Sequence, residues 1–155
     1  MPGVKPSTVP GRLLAEVVSM MKIRFLDPNG VENVQERINS DPEFRIAAKY
    51  MSQDILIAAD DQQCIFKVRD GVITKIMVNP SPMEPWDFFI KAPEKSWELF
   101  LRLLPPPFFH SLFGATIRED FRFGGNVEAM FTHYWATQRM LTILRQFQNE
   151  PGGKS

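Results

Sequence analysis

The residue types that catalysis uses most often are sparse and scattered in this sequence. The two histidines, His110 and His133, fall on different predicted elements and do not have the spacing of metal ligands. The acidic pair Asp60-Asp61 lies at the end of a predicted strand, where a solvated turn accounts for it. Cys64 has apolar neighbours and no histidine near it in sequence, so we interpret it as a core residue. With no glycine-rich phosphate loop and no GxSxG elbow, the sequence predicts a protein that is not an enzyme and uses no metal or cofactor.

Charge and apolar content argue against several classes of partner. The 155 residues include 18 basic and 18 acidic side chains without a basic stripe, so nucleic-acid binding is not expected. No apolar run reaches the roughly 18–20 residues of a membrane span, which leaves at most transient membrane contact. Residues 13–26 are apolar but are interrupted by Glu16, Lys22 and Arg24, so we expect no signal peptide. A single cysteine is typical of a reducing compartment, and we predict a cytoplasmic protein.

Prolines and glycines divide the chain into segments. We expect a flexible arm at residues 1–11 and a flexible tail at residues 149–155, since both are rich in proline or glycine. Residues 12–53 are predicted to be a helical segment that forms one domain with a mixed core at residues 54–148. Within the helical segment, Asp41 ahead of Pro42 predicts the start of a helix that continues to about residue 52.

Strand-like periodicity begins near residue 54. Asp70-Gly71 is the strongest hairpin signal in the chain. Alternation predicts a sheet with one apolar face and one wet face; it assigns Ile65 to the same face as two basic residues, and it separates Ile73 from Ile76. Strands are predicted, in chain order, at residues 55–58, 64–69, 72–78, 86–91 and 121–123.

The C-terminal half alternates strands with helices. A helix is predicted to start near Glu94 and to end at the prolines 105–107, which cannot donate helical hydrogen bonds. Residues 108–117 are predicted to be a short helix or an apolar loop. Asn126 is predicted to cap one continuous final helix, from Val127 to about Phe147.

The final helix has a second apolar stripe, formed by Met140, Ile143 and Phe147. A helix that is apolar on two sides is buried twice or contacts something besides its own sheet. We therefore expect the stripe either to pack under the N-terminal helices or to form a homodimer interface. The N-terminal helices themselves could cap a pocket or contact a partner.

Large apolar side chains are concentrated between residues 86 and 126. Such a stretch can fill an ordinary core or line a hollow, and ligand pockets are largely apolar with few polar groups. The eight methionines suit walls that adapt to varied ligands, and His110 is a candidate contact for a ligand head group. The predicted ligand-binding residues are Phe88, Ile90, Phe100, Leu104, Phe108, Phe109, Leu112, Phe113, Phe123, Met130 and Tyr134.

The order of parts from residue 54 to residue 147 resembles the sterol-carrier-protein type 2 family, also called nonspecific lipid-transfer proteins. The resemblance lies in the segment DFFIKAPEKSW at residues 87–97, where a strand leads into a helix with a polar start. It also lies in FRFGGN at residues 121–126, a short strand that enters the last helix. The run PPPFF at residues 105–109 departs from the family, which usually has a glycine-rich polar link there.

The resemblance implies an α+β fold in which helices cover one face of a five-stranded, mostly antiparallel sheet, here with an N-terminal helical extension. It implies a hydrophobic tunnel between sheet and helices that binds, and transfers within the cell, lipids or other hydrophobic small molecules such as a fatty acid or a sterol. Two other functions stay open. One is a non-catalytic accessory module that docks a partner through its C-terminal helix. The other is a cone-shaped α+β enzyme for hydrophobic ring substrates, which would require a buried Asp–His pair.

Overall fold

A five-stranded sheet forms the centre of the protein. The computed structural model describes residues 23–102, 104–105, 111–117 and 121–150, with the backbone alone at residues 113 and 117. The strands are β1 (Asp54–Ala59), β2 (Gln62–Arg69), β3 (Val72–Val78), β4 (Phe88–Ala92) and β5 (Arg122–Gly125). Their order is β3-β2-β1-β4-β5, and β1 pairs with β4 in parallel while the other neighbours are antiparallel. The predicted five-stranded, mostly antiparallel sheet is confirmed.

Helices pack against the sheet, and two of them start at the predicted caps. Asp41 accepts a hydrogen bond from the Phe44 amide at 2.8 Å, and Asn126 accepts one from the Ala129 amide at 3.0 Å. The predicted arm and the predicted helix before residue 23 lie outside the described residues. The helices are α1 (Val31–Asn39), α2 (Pro42–Ala47), α3 (Glu94–Phe100), α4 (Leu112–Ile117), α5 (Val127–Thr132) and α6 (Tyr134–Gln148), with 3-10 turns at Arg24–Leu26 and Pro28–Gly30.

The predicted continuous final helix is wrong, because the chain breaks between α5 and α6 at His133. His133 has φ −109° and ψ 28°, outside helical geometry. The hydroxyls of Thr132 and Thr137 donate to the carbonyl oxygens of Glu128 and His133, four residues earlier in each case. Such bonds from threonine to the preceding turn bend helices, and here they flank the break.

The second stripe of the final helix is buried within the chain. Met140, Ile143 and Phe147 are 0%, 2% and 4% exposed, and α1, α2 and the first 3-10 turn all contact α6. Arg24 places its guanidinium 4.5 Å from the centre of the Phe147 ring and donates to the Phe147 carbonyl oxygen at 2.7 Å. The alternative of packing under N-terminal elements is confirmed. A homodimer interface through these three residues is wrong, because they are not on the surface.

The predicted alternation of side chains between the two faces of the sheet is wrong in β3, because the strand contains a β-bulge. The register shifts between Lys67 and Val68, so that Phe66 pairs with Ile76 while Val68 pairs with Ile73. Both isoleucines are therefore buried on the inner face, at 0% and 7% exposure, instead of lying on opposite faces.

The outer face of the sheet is not uniformly wet as predicted. Ile65 is 1% exposed and its cross-strand neighbour Leu56 is 4% exposed. Since β3 and β4 are not adjacent, the connection between them crosses this face, and Glu84 in that connection pairs with Lys67 at 3.1 Å. The crossing segment explains the burial of apolar side chains on the predicted wet face.

Helix α1 covers the free edge of β3. The Asn39 side chain accepts from the Ile73 amide at 2.8 Å and donates to the Ile73 carbonyl oxygen at 2.9 Å, while Gln35 donates to the same oxygen at 3.0 Å. Edge strands present unpaired backbone groups that can template aggregation. Asn39 satisfies both groups of one such residue at the bulge.

Asn39→Ala is expected to lower the free energy of unfolding by about 1–2 kcal/mol, because the Ile73 amide loses its acceptor while Gln35 still reaches the carbonyl oxygen. Gln35→Ala is the matched control and is expected to cost less, since Asn39 keeps both backbone contacts. Urea unfolding followed by circular dichroism measures the difference. If the two substitutions lowered stability equally, the hydrogen bond from the Ile73 amide to Asn39 would not be the dominant contact.

Candidate ligand-binding core

An aromatic cluster fixes α3 to the sheet. Trp97 is completely buried, and its indole Nε1–H donates to the Ala58 carbonyl oxygen of β1 at 2.9 Å. The rings of Phe25, Phe100 and Phe121 lie around it, with centroid distances of 5.7, 5.8 and 4.8 Å and edge-to-face geometry. One side chain thus joins the N-terminal turn, α3, β1 and the approach to β5.

Most of the predicted ligand-binding residues that can be placed converge on the same apolar core. Phe123 and Tyr134 are half-buried and pack against it. The predicted residues that lie in this core or pack against it come from two strands and four helices, which are far apart in sequence. Those with fully buried side chains are Phe88, Ile90, Phe100, Leu112 and Met130.

The remaining predicted ligand-binding residues are either exposed or outside the described part of the chain. Leu104 is 87% exposed and is not part of the core. Phe108 and Phe109 lie outside the described residues, as does the side chain of Phe113.

The apolar core reaches the surface through an aromatic rim. The Phe123 ring meets the Phe131 ring edge-to-face at 5.9 Å, and the Tyr134 ring meets the Trp135 ring at 5.1 Å. Phe131 is 46% exposed and Trp135 is 75% exposed, whereas their partners are half-buried. Phe123 and Tyr134 thus mark the boundary between buried core and solvent.

Gln138 supplies a polar centre next to this rim. Its Oε1 accepts a hydrogen bond from the Leu112 amide at 2.8 Å and lies 3.5 Å from the Tyr134 hydroxyl. Gln138 therefore holds the start of α4 beside α6. The prediction omitted Gln138, although it follows Tyr134 by four residues on one helical face, the spacing at which side chains meet.

The end of α3 is held by α6 rather than by the prolines. Arg145 donates to the Phe100 carbonyl oxygen at 2.9 Å, and Asn149 donates to the Leu101 carbonyl oxygen at 2.7 Å. Partial burial lowers the pKa of Arg145, and its guanidinium also lies 5.0 Å from the centre of the Phe100 ring. These contacts end α3 at Phe100, before the first proline at Pro105.

The described side chains whose types could serve catalysis have contacts that favour structural roles. Asp60 accepts a hydrogen bond from the Glu94 amide at 3.0 Å and so caps α3. Burial raises the pKa of the Cys64 thiol, which opposes a nucleophilic role, and desolvation lowers the pKa of His133. His110 lies outside the described residues. Across the part of the chain that the structure describes, histidine, cysteine and carboxylate side chains form no group able to hold a metal.

A second feature, an open depression of about 540 Å³, lies beside α1. Its walls lack the apolar side chains that surround a lipid. The aromatic rim and the core behind it are therefore the better candidate for an apolar ligand. The residues that line the depression are Glu32, Gln35, Glu36, Asn39 and Ser40.

Solved structures share this arrangement of strands and helices. The crystal structure of sterol carrier protein 2 matches with a TM-score of 0.64 over 78% of this chain and 97% of its own, at 16% sequence identity. The chain has a sterol carrier protein 2 fold. The solution structure of a conserved hypothetical protein from Thermus thermophilus, described as a possible sterol carrier protein, matches with a TM-score of 0.63 at 15% identity, over 84% of this chain and 94% of that one.

These likenesses confirm the resemblance that residues 87–97 and 121–126 indicated in the sequence. No protein-family model matches the chain. No curated protein matches it either. The likeness to sterol carrier protein 2 is therefore one of fold.

Proposed function

We propose that the protein binds a hydrophobic small molecule, such as a fatty acid or a sterol, between its sheet and helices and transfers it within the cytoplasm without chemistry. The main support is that apolar residues from β4, β5 and α3–α6 form one continuous core that reaches the surface at Phe123 and Tyr134. The sterol carrier protein 2 fold is the second support. Each buried CH₂ of a ligand contributes about 0.8 kcal/mol, so a long chain needs few specific contacts.

A ligand head group would lie at the rim in this proposal. The Tyr134 hydroxyl and Gln138 Oε1, 3.5 Å apart, are polar groups at this rim. Both can exchange a hydrogen bond with a carboxylate or hydroxyl. A small number of such groups in an apolar site is what orients a lipid-like ligand.

The two alternative functions have weaker support. Docking through the C-terminal helix would need Met140, Ile143 and Phe147 on the surface, and they are buried. An enzyme of the cone-shaped type would need a carboxylate beside a buried histidine. His133 is only half-buried and forms no ion pair among the described residues, and His110 lies outside them. We therefore retain the carrier function.

Native mass spectrometry of the purified protein, before and after extraction with organic solvent, tests the proposal. We expect added mass that extraction removes, and binding of a fluorescent fatty acid by the extracted protein. A folded protein that shows no bound lipid and does not bind the fluorescent fatty acid would contradict the proposed function.

Tyr134→Ala is expected to weaken binding of the fluorescent fatty acid about tenfold, because it removes both a half-buried ring and a hydroxyl from the rim. Trp135→Ala is the matched control: it removes a neighbouring ring that is 75% exposed. Titration of each extracted variant measures its dissociation constant. If the two substitutions weaken binding equally, the ligand does not enter beside Tyr134.

A further inference from the structure

The two edges of the sheet differ in how their backbone groups are satisfied. At the β3 edge, side chains of α1 bond the amide and the carbonyl oxygen of Ile73. At the opposite edge, within the described part of the chain, β5 pairs with β4 alone. Arg122 and Gly125, the first and last residues of β5, are exposed. One edge of the sheet is therefore capped, and the other is open.

The register shows which backbone groups face the open edge. The Asn126 amide donates to the Asp87 carbonyl oxygen at 2.8 Å, and hydrogen-bonded pairs alternate with non-hydrogen-bonded pairs along an antiparallel ladder. Three positions before Asn126, Phe123 opposite Ile90 is therefore a non-hydrogen-bonded pair. The amide and the carbonyl oxygen of Phe123 thus point away from β4, and no hydrogen bond to either group is found among the described residues.

Two cations lie on the outer face of the sheet beside this edge. Arg122 is the cross-strand neighbour of Lys91, and both are exposed. The Phe89 ring fills the space above Gly124, where a Cβ would lie 2.7 Å from the ring. The Lys91 ammonium lies 4.6 Å from the centre of the same ring. Lys91 therefore places its charge on the side of β4 that faces β5.

The repulsion between these cations is not relieved by a carboxylate within the described part of the chain. Neither Arg122 nor Lys91 forms an ion pair there, and Glu119 and Asp120, which precede β5 in sequence, lie outside it. Other exposed lysines are unpaired too, so the distinguishing property of these two cations is their position beside an open strand edge. Like charges directly opposite each other in a sheet are destabilising, and a carboxylate on an added strand would offset this cost.

The inner face beside the open edge is apolar. The Phe123 side chain is half-buried, and its ring meets the Phe131 ring at 5.9 Å. Phe131 is 46% exposed. Residues directly opposite each other in a sheet place their side chains on the same face. A residue that pairs with Phe123 would therefore have its side chain next to these two rings.

We propose that the open edge of β5 binds an extended acidic segment of a partner protein as a sixth strand. In antiparallel pairing, the partner residue opposite Phe123 is apolar and exchanges two backbone hydrogen bonds with it. The partner residues on either side are acidic, because their side chains lie on the outer face with Arg122 and, across Gly124, with Lys91. The partner segment thus alternates acidic and apolar residues. This interaction goes beyond ligand binding and does not rest on it; it also needs no membrane, and no helix among the described residues is long and apolar enough to cross one.

Fluorescence anisotropy with a labelled synthetic peptide tests the pattern. The full chain is expected to bind a seven-residue peptide that alternates glutamate and valine with a dissociation constant of about 10–100 μM. A peptide that alternates lysine and valine should bind at least about tenfold more weakly.

N-methylated peptides test the backbone pairing. In the proposed register the valine amides face β5 and the glutamate amides face solvent. N-methylation of the valines should therefore weaken binding at least about tenfold, whereas N-methylation of the glutamates should change it by less than about threefold.

Charge-reversed variants test the two cations. Arg122→Glu combined with Lys91→Glu should weaken binding of the glutamate–valine peptide at least about tenfold, and should bind the lysine–valine peptide more tightly than the wild type does. Lys75→Glu combined with Lys95→Glu is the matched control, since it changes two exposed lysines elsewhere by the same charge, and its affinity should stay within about threefold of the wild type. Circular dichroism and thermal unfolding verify that each variant is folded.

Amide hydrogen exchange followed by nuclear magnetic resonance locates the bound peptide. The Phe123 amide should exchange at least about tenfold more slowly when the glutamate–valine peptide is saturating, because it gains an acceptor. The Asn126 amide, which already donates to Asp87, is the internal control and should change by less than about threefold.

Several results would overturn the proposal. They are absence of binding by the folded wild type, equal binding of the two N-methylated peptides, equal loss in the test and control variants, and binding that leaves exchange of the Phe123 amide unchanged. A wild-type protein that sediments as a dimer with the Phe123 amide already protected would assign the edge to a second copy of the chain instead. Peptide binding is measured on both extracted and lipid-loaded protein, so that failure of ligand binding and failure of strand addition are read separately.

Discussion

Replacing Trp97 with alanine is expected to remove most of the free energy of unfolding. The indole is completely buried among three phenylalanine rings, and truncating such a side chain to alanine costs about 3–5 kcal/mol. The Ala58 carbonyl oxygen also loses its donor, which adds about 1–3 kcal/mol if no water replaces it. Since domains of this size are stable by about 5–15 kcal/mol, the variant is expected to lie near the limit of folding.

Trp97→Phe separates the two contributions. It keeps an aromatic ring in the cluster but removes the N–H that reaches β1, and we expect a loss of about 1–3 kcal/mol. Trp135→Ala is the matched control, because that indole is 75% exposed and surface substitutions usually change stability by less than about 0.5 kcal/mol. Urea unfolding monitored by far-ultraviolet circular dichroism measures all three variants without depending on tryptophan fluorescence.

The order of effects is the decisive result. We expect Trp97→Ala to be the least stable, Trp97→Phe to be intermediate and Trp135→Ala to match the wild type. If Trp97→Phe were as stable as the wild type, the hydrogen bond to Ala58 would contribute nothing net. If Trp97→Ala kept the wild-type urea midpoint, the cluster would not be the link between α3 and the sheet.

Local signals in the sequence predicted where the strands and the hairpin lie. Asp70 and Gly71 both have positive φ angles, 51° and 80°, which is the geometry of the two-residue hairpin that their types predict. An alanine at Gly71 would place its Cβ 2.6 Å from the Ala48 carbonyl oxygen, so glycine is required there for a second reason. That second reason depends on α2, and a pattern within the hairpin cannot show it.

The sequence assigned some strand side chains to the wrong face of the sheet, and the cause is packing between distant segments. A bulge places Ile73 and Ile76 on one face, and nothing in the alternation of β3 marks the extra residue. Ile65 belongs to a strand that alternates as a half-exposed strand should, yet the β3–β4 connection covers it. Strand order decides that crossing, and strand order is not a property of any short segment.

The burial of the candidate ligand-binding residues was predicted in part. Phe88, Ile90 and Met130 lie in one core as expected from their apolar stripes, because burial follows from periodicity. Leu104 continues the stripe of α3 but is exposed, since Arg145 and Asn149 end that helix at Phe100. Hydrogen bonds from a helix some 45 residues away cannot be inferred from the stripe itself. Periodicity thus identified the core-facing residues of intact elements and failed where another element ended one.

Arg139→Met is expected to lower the free energy of unfolding by about 2–3 kcal/mol. Its guanidinium binds both oxygens of the Asp41 carboxylate, at 2.9 and 2.8 Å, and so joins α6 to the start of α2. Both side chains are largely buried, with 24% and 14% of their surface exposed. Removing one partner leaves a poorly solvated carboxylate, which costs more than the pair itself contributes.

The same pair predicts a dependence on pH. Hydrogen bonding to Arg139, together with the Phe44 amide, holds the pKa of Asp41 below its usual value of 3.8. A carboxyl whose pKa is lowered by folding stabilises the native state above its unfolded pKa, and this stabilisation is lost as the pH falls through the folded pKa. The difference in stability between wild type and Asp41→Asn is therefore expected to be constant from about pH 7 to about pH 5 and to shrink below about pH 4.

Urea unfolding of wild type, Asp41→Asn, Arg139→Met and the double variant, at neutral and acidic pH, measures both expectations. The double variant should be more stable than the sum of the two single losses predicts, because the second substitution removes a group that the first left unpaired. Asp70→Asn is the matched control, an exposed aspartate in a turn that tolerates asparagine, and it should change stability by less than about 0.5 kcal/mol. Two results would contradict this role of the ion pair: additive losses in the double variant, or a stability difference between wild type and Asp41→Asn that persists at low pH. In either case α2 would be held to α6 by apolar contacts such as that of Phe44.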